Sequence, residues 1–430
     1  MRTKLIVTAS VVLALAAGAP VAGCEALPSQ AASATADVSL PALQSLLDSY
    51  VSSGKVPGIV VAIGRGDAPP AFVSAGTISD DPGAPKAGPD SLWRIYSMTK
   101  PITATAAMIL VDQGKLRLDQ PISDFIPAFR TMRVLDSPAT SLASHPATHP
   151  ITVRNLLTHT SGLGYQILGT GPLPKEYQRL GLLGGRVDPE ASKAQPKTLA
   201  EFADRLAGVP LLAEPGTQWH YSVSMDVLGR VIEVASGMPF DRFVNTRVLR
   251  PLRMTSTYWT APQAEAARLA TSYAWVGGKR VPVDPGMSSL WLSPPLVPYG
   301  GSGLVSSARD YDRFLQMLAG SGSVGGARIL KRETAQLAMS NLLPEGVRIV
   351  ENVTPARTVA EGFGAGGSVY LADVPQGVRA GTYGWFGAAG TIAFIDPRQD
   401  LRVTVMVNYF PMKEWPLYDD VVSGLYSKHN

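Results

Sequence analysis

The stretch Ser97-Met98-Thr99-Lys100-Pro101-Ile102 decides how this chain is read. Ser97 and Lys100 lie three residues apart, close to one helical turn, so the spacing places both side chains on one helix face. Pro101 is tolerated in a first turn, where its missing N–H has no intrahelical partner. Apolar Ile102, Ala104, Ala106, Ala107, Ile109 and Leu110 then carry a predicted helix over 102–113 into a core, and Gly114 is a residue type that ends helices. Ser97 is thus expected at a helix N-terminus, where backbone N–H groups and the dipole favour developing negative charge. A serine hydroxyl is a weak nucleophile until a neighbour takes its proton. A lysine one turn away helps only with a lowered pKa, or by holding a second base ionised. Alone, Ser-x-x-Lys is weak evidence, since a helix start with a solvated lysine looks the same.

Two further stretches complete a chemistry. Tyr221-Ser222 follows Glu214-Pro215-Gly216-Thr217-Gln218-Trp219-His220. Tyrosine titrates near pH 10, but beside a lysine ammonium a phenolate can serve as general base. Trp385-Phe386-Gly387-Ala388-Ala389-Gly390-Thr391 leads into a strand. A glycine-rich strand entry lets a substrate lie against backbone N–H groups.

The flanking sequence is α/β in character. Leu40, Leu43, Leu46, Leu47 and Tyr50 are spaced helically over 38–53. Gly58 to Arg65 and Ala71 to Gly76 read as a strand hairpin. Val378 to Tyr383, Thr391 to Ile395 and Leu401 to Tyr409 read as further strands, followed by a helix from about Trp415 to Tyr426. The middle is different: Leu199 to Ala207, Met225 to Ser236, Phe240 to Val248 and Ala308 to Ala319 are helix-periodic. The expectation is one domain over 39–430, with an α/β part at 39–100 and 305–430 and a helical insertion at 101–304. A cleft between the parts is the natural ligand site. The long connections 132–150, 164–198 and 340–368 are expected to wall it, with Tyr165 and Gln166 placed there by position alone.

Composition sets the class. With 45% hydrophobic and 17% charged residues the 430-residue chain is globular, and its core needs no disulfide staple. The formal charge is +4, with no Lys/Arg-rich run, which argues against a nucleic-acid partner. Residues 1–23 read as an export signal: Arg2 and Lys4 precede an apolar stretch, Leu5 to Ala17, too short for a convincing membrane span. Val21-Ala22-Gly23-Cys24 resembles a bacterial lipobox, which implies lipidation of Cys24, the chain's single cysteine. The alternative is cleavage after Ala32-Ser33-Ala34, with Cys24 discarded. The expectation is an exported protein, either periplasmic or anchored to a membrane surface through residues 24–38 as a tether, or else freely secreted.

The three catalytic stretches, in this order, resemble the serine β-lactamase and penicillin-binding protein superfamily, closest to class C β-lactamases and family VIII carboxylesterases. The likeness spans nearly all of residues 40–427. It includes Leu156-Leu157-Thr158-His159-Thr160-Ser161-Gly162-Leu163, Asp226-Val227-Leu228-Gly229 and Gly300-Gly301-Ser302-Gly303-Leu304. It implies an antiparallel sheet flanked by helices, with a mostly helical insertion. It also implies Ser97 as the acylated nucleophile, Lys100 as its activating lysine and Tyr221 as base and then acid. The backbone N–H groups of Ser97 and Ala388 would form the oxyanion hole. No metal or cofactor is implied.

Two departures point to the substrate. The family's Tyr-x-Asn reads Tyr221-Ser222-Val223 here, so the amide that holds a peptide-like side chain is replaced. The Lys-Thr/Ser-Gly motif reads Trp385-Phe386-Gly387, so the cation that pairs with a β-lactam or peptide carboxylate is replaced. Trp385 resembles the Trp-Gly-Gly of the esterase branch. With Val223, Trp385, Phe386 and Gly387 as substrate-binding positions, the expectation is a carboxylesterase on small esters with a neutral acyl group. Alternatives are a hydrolase of D-amino-acid or linear peptides, a weak β-lactamase, and a catalytically silent sensor of the same fold. A Ser161–His159 hydrolase lacks Gly-x-Ser-x-Gly around the serine. His145 and His149 have metal-like spacing, but Pro146 and Pro150 predict a loop. His220 adjoins Tyr221 and has two readings, a border of the pocket or, as the leading expectation, a packed histidine; Trp93, Trp219 and Trp291 are expected to pack in the core.

Overall fold

A computed structural model describes residues 40–186, 193–349 and 359–426. The expected leader, Cys24 and the tether lie outside them. Residues 35–430 form one compact unit.

A seven-stranded antiparallel sheet draws its strands from both ends of that unit. The order is Glu361–Phe363, Ser368–Tyr370, Tyr383–Phe386, Ile392–Asp396, Leu401–Met406, Gly58–Arg65 and Ala71–Gly76. Gly58 to Gly64 are all buried, as are all six residues of Leu401–Met406. These strands are therefore covered on both faces, and they read as continuous apolar runs for that reason. Helices Leu40–Ser52 and Leu417–Tyr426 pack together, tied by Tyr50, whose hydroxyl donates to Asp420 Oδ2 at 2.6 Å. Helix Ala308–Ala319 packs on the Gly58–Arg65 and Leu401–Met406 strands. There Arg402 Nε meets Asp312 Oδ1 at 2.8 Å in a fully buried ion pair, and the guanidinium also donates to the Gly66 and Ala68 carbonyls.

Between the sheet's first hairpin and its later strands the chain is mostly helical. Helix Thr99–Asp112 is buried on every side from Thr99 to Leu110, as expected of a helix with apolar residues all round. It packs against helix Ser224–Ser236. The same stretch holds strands too. Ser272–Val276 and Lys279–Asp284 form a hairpin, and Tyr409–Phe410 adds to it in parallel.

Several expected boundaries shift. Val378 to Thr382 is a turn rather than a strand: Arg379 N–H donates to Asp396 Oδ2, and Thr382 N–H closes back on Arg379 O. The strand therefore begins at Tyr383 and contains Trp385 and Phe386 within it. The helix expected over 240–248 gives way at Asn245 to a wider turn, Asn245–Leu249. His145 lies on a short strand, Ser144–Pro146, paired with Arg133–Leu135, not in a plain loop. The connection 340–368 contributes the edge strand Glu361–Phe363.

Candidate active site

Ser97 sits in a tight 3₁₀ turn, Tyr96–Met98, that runs directly into helix Thr99–Asp112. The turn is held from three sides. Ile95 N–H bonds Leu304 O at 3.1 Å, Tyr311 hydroxyl donates to Met98 O at 2.8 Å, and Leu304 N–H donates to Thr99 Oγ1 at 3.2 Å. Tyr96, just before the serine, has φ 41°. A bulky residue in that left-handed region is strained by about 1–3 kcal/mol and persists only where surroundings over-determine it. Here Trp291 and Phe410 pack edge-on against the Tyr96 ring, with centroids 5.7 and 5.6 Å away.

The three expected catalytic side chains converge. Lys100 Nζ donates to Ser97 Oγ at 3.0 Å, and Tyr221 hydroxyl donates to it at 2.7 Å. Lys100 is fully buried, and its ammonium lies 4.6 Å from the centroid of the Tyr221 ring and 5.9 Å from that of Tyr165. It also donates to Gly301 O at 2.8 Å. Ser97 remains 9% exposed and Tyr221 7%, so both are nearly withdrawn from solvent.

Trp385 closes one side. Its indole N–H points at Tyr221 hydroxyl, 3.4 Å away, and its ring stacks on Phe386 at 4.5 Å and meets Phe363 at 5.1 Å. Gly387 follows where the chain passes the serine turn. A Cβ there would lie 2.5 Å from Ile95 O and 2.2 Å from Thr391 Oγ1, so only glycine permits this approach. Its N–H bonds Thr391 O at 2.8 Å, which leaves Ala388 partly exposed at the tip of the turn.

Val223 is a correction. It is 0% exposed at the start of helix Ser224–Ser236, with its N–H on Gly164 O at 3.1 Å. Its side chain has no surface to offer a substrate; the loss of the family's amide there is filled by core packing. Of the two readings of His220 the leading one gives way: it borders an open cleft instead of packing in the core. That cleft, about 720 Å³, starts at Tyr221 and Tyr165 and runs past Leu168, Leu173 and Leu212. Among the described residues no Asp, Glu, Lys or Arg lines it. Tyr165 takes the place expected of it, whereas Gln166 turns away to the Leu183 carbonyl. A groove of about 820 Å³ along Arg309, Arg313 and Arg328 is larger, but it lies apart from Ser97.

His159 and Ser161 do not form a couple. His159 is fully buried, with Nδ1 3.0 Å from Ser222 Oγ, while Ser161 Oγ bonds Ser224 Oγ at 2.8 Å. Burial, and then the Lys100 charge, hold the imidazole well below its usual range. Among the described residues no cluster of His, Cys, Asp and Glu has metal-site geometry.

Sequence reasoning missed Asp226 and Gly301 as parts of the site. Asp226, in the first turn of helix Ser224–Ser236, is fully buried and accepts the Gly301 N–H on Oδ1 at 2.9 Å. Burial pushes its carboxyl up to about 7, against the pull of that N–H and of Lys100. The signal was present: a lone acidic residue at a core-facing position of an apolar helix, five residues after Tyr221.

An antiparallel sheet flanked by helices, a buried Ser-x-x-Lys turn and a tyrosine on the serine oxygen define a serine hydrolase of the β-lactamase and penicillin-binding protein fold. The chain belongs to the Beta-lactamase family, whose model matches residues 43–422. It is similar to protein Rv1367c of Mycobacterium tuberculosis, 36% identical over 330 residues, 75% of this chain and 78% of that one. It is also similar to Esterase EstB of Burkholderia gladioli, 32% identical over 339 residues, 74% of this chain and 78% of that one. Among solved structures it resembles EstCE1, described as a hydrolase with promiscuous acyltransferase activity, with a TM-score of 0.75 and 27% identity over 90% of this chain and 98% of that one.

Proposed function

We propose that the protein is a carboxylesterase that forms an acyl-enzyme on Ser97 from small esters with a neutral, apolar acyl group. Lys100 and Tyr221 act together on the serine proton. As Ser97 Oγ bonds to the ester carbonyl carbon, its proton passes to this pair, and the negative oxygen settles on the N–H groups of Ser97 and Ala388. The C–O bond to the alcohol then breaks, and Tyr221 returns the proton to the departing oxygen. Water enters by the reverse route: it gives its proton to Tyr221, attacks the acyl carbon and releases Ser97.

The observation that carries the ester reading is Trp385. An indole stands where a cation would pair with a substrate carboxylate, and its N–H is directed at Tyr221. The adjoining cleft, without a charged lining residue among those described, supports the same reading. The similarity to Esterase EstB agrees with it. A panel of p-nitrophenyl esters, D-alanyl peptides and nitrocefin tests it: ester turnover is expected, and turnover of the peptide alone would overturn it.

A second reading is acyl transfer, in which an alcohol replaces water on the acyl-enzyme; the described activity of EstCE1 favours it. Product analysis in the presence of a small alcohol separates the two. We place the enzyme outside the cytoplasm, held at a membrane surface through lipidated Cys24, and metabolic labelling with a palmitate analogue in cells tests that placement.

A further inference from the structure

A buried carboxylate behind the lysine is left over once Ser97, Lys100 and Tyr221 have been assigned. Asp226 and Lys100 grip the same peptide segment from opposite sides. Asp226 Oδ1 accepts the Gly301 N–H at 2.9 Å, and Lys100 Nζ donates to Gly301 O at 2.8 Å. A methyl group on Gly301 would touch both partners, at 3.2 Å from Asp226 Oδ2 and 3.4 Å from Lys100 Nζ. Carboxylate and ammonium therefore face each other across one glycine, and only a glycine leaves the space between them open.

Asp226 Oδ2 is buried and has no hydrogen-bond partner among the described residues. A buried carboxylate is costly unless something offsets it. A purely structural anchor for one N–H needs no charge, because an asparagine would serve. The charged groups facing Asp226 are few. Lys100 comes from the nucleophile helix, and the phenols of Tyr165 and Tyr299 come from the loops packed on either side. Among the described residues Lys100 is the single cation acting on it.

We propose, resting on the reading of Ser97, Lys100 and Tyr221 above, that Asp226 is a positioning residue for the base pair: it fixes the Gly301 peptide that receives Lys100, and it sets a carboxylate across one glycine from the Lys100 ammonium. The sign is the same for either base. A nearby negative charge favours a lysine ammonium over an amine, and a neutral phenol over a phenolate. Removing that charge lets whichever group accepts the Ser97 proton lose its own at lower pH. Burial opposes the ionisation of Asp226 and pushes its carboxyl up to about 7.

The test is the pH profile of kcat/KM for a p-nitrophenyl ester, together with that of the rate at which a fluorophosphonate labels the full chain. Asp226→Asn keeps an oxygen for the Gly301 N–H and removes only the charge. Its acid limb is expected to move to lower pH by about one unit, with thermal stability kept or raised. Gly301→Ala, which pushes a methyl group between the two partners, is expected to move the limb the same way by less. A limb that stays in place or moves to higher pH, in whichever of these variants folds, overturns the proposal. Ser97→Ala separates its failure from that of the reading beneath it. Labelling that persists in Ser97→Ala breaks the nucleophile assignment, and the Asp226 proposal falls with it. Labelling lost in Ser97→Ala, with an unmoved limb in the Asp226 and Gly301 variants, breaks the Asp226 proposal alone.

Discussion

Tyr221 hydroxyl lies 2.7 Å from Ser97 Oγ, closer than Lys100 Nζ at 3.0 Å, and the Lys100 ammonium sits over the tyrosine ring. The phenol is thus placed to exchange the serine proton, and the lysine is placed to stabilise a phenolate. Removal of the hydroxyl alone tests this. Tyr221→Phe is expected to lower kcat/KM for p-nitrophenyl esters by roughly 10²–10⁴-fold, with little change in melting temperature. A loss of less than about tenfold would give the proton to Lys100 alone.

A Cβ at Gly387 would collide with Ile95 O and Thr391 Oγ1. Gly387→Ala forces the serine turn and the Trp385 strand apart. The expected cost is roughly 1–3 kcal/mol of stability, read by denaturant unfolding. Esterase activity is expected to fall more than stability does, because the displaced backbone includes Ala388.

The cleft beside Tyr221 sets what the site accepts. Leu168 is partly buried along its wall. Leu168→Glu places a carboxylate against apolar substrate and is expected to cut kcat/KM for butyrate or longer p-nitrophenyl esters by about tenfold, while acetate turnover changes less. Equal losses on all esters would remove the cleft from substrate binding.

His159 supplies a pH signature. Its imidazole is held well below 6.5, first by burial and then by Lys100. A depressed histidine contributes stability above its unfolded pKa and loses it as pH falls through about 6.5 and below. The raised carboxyls of Asp226, Asp310 and Asp312 act in the opposite sense: their stabilisation is present below about 4 and is lost as pH rises towards 6–7. The difference between wild type and His159→Gln isolates the histidine. The wild type is expected to lose stability faster than His159→Gln between pH 7 and 5, as read from urea midpoints.

The catalytic trio was legible in the sequence because its spacing is local or carried by family motifs: Ser97 and Lys100 by a single turn, Tyr221 and Trp385 by the stretches around them. The hairpin Gly58–Arg65 and Ala71–Gly76 was legible because continuous apolar runs between turn residues have few other readings. What escaped depends on contacts distant in sequence. Asp226 meets Gly301 across 75 residues. Val223 looked like a binding position because the family uses its place, and nothing local indicates that its side chain packs inward. His220 had two readings because nothing local decides whether its ring packs inward or lines the pocket; it lies on the cleft wall. The edge strand Glu361–Phe363 is only three residues long, and its pairing with Ser368–Tyr370 leaves no periodic signature in the chain.

The central claim is a covalent ester intermediate on Ser97. Acid-quenched reaction with p-nitrophenyl acetate, followed by peptide mass spectrometry, reads it directly. One acetyl group on the peptide containing Ser97, absent from Ser97→Ala and accumulating faster than it is lost, is the result predicted. Acetylation at another residue, or ester turnover that survives intact in Ser97→Ala, would contradict it.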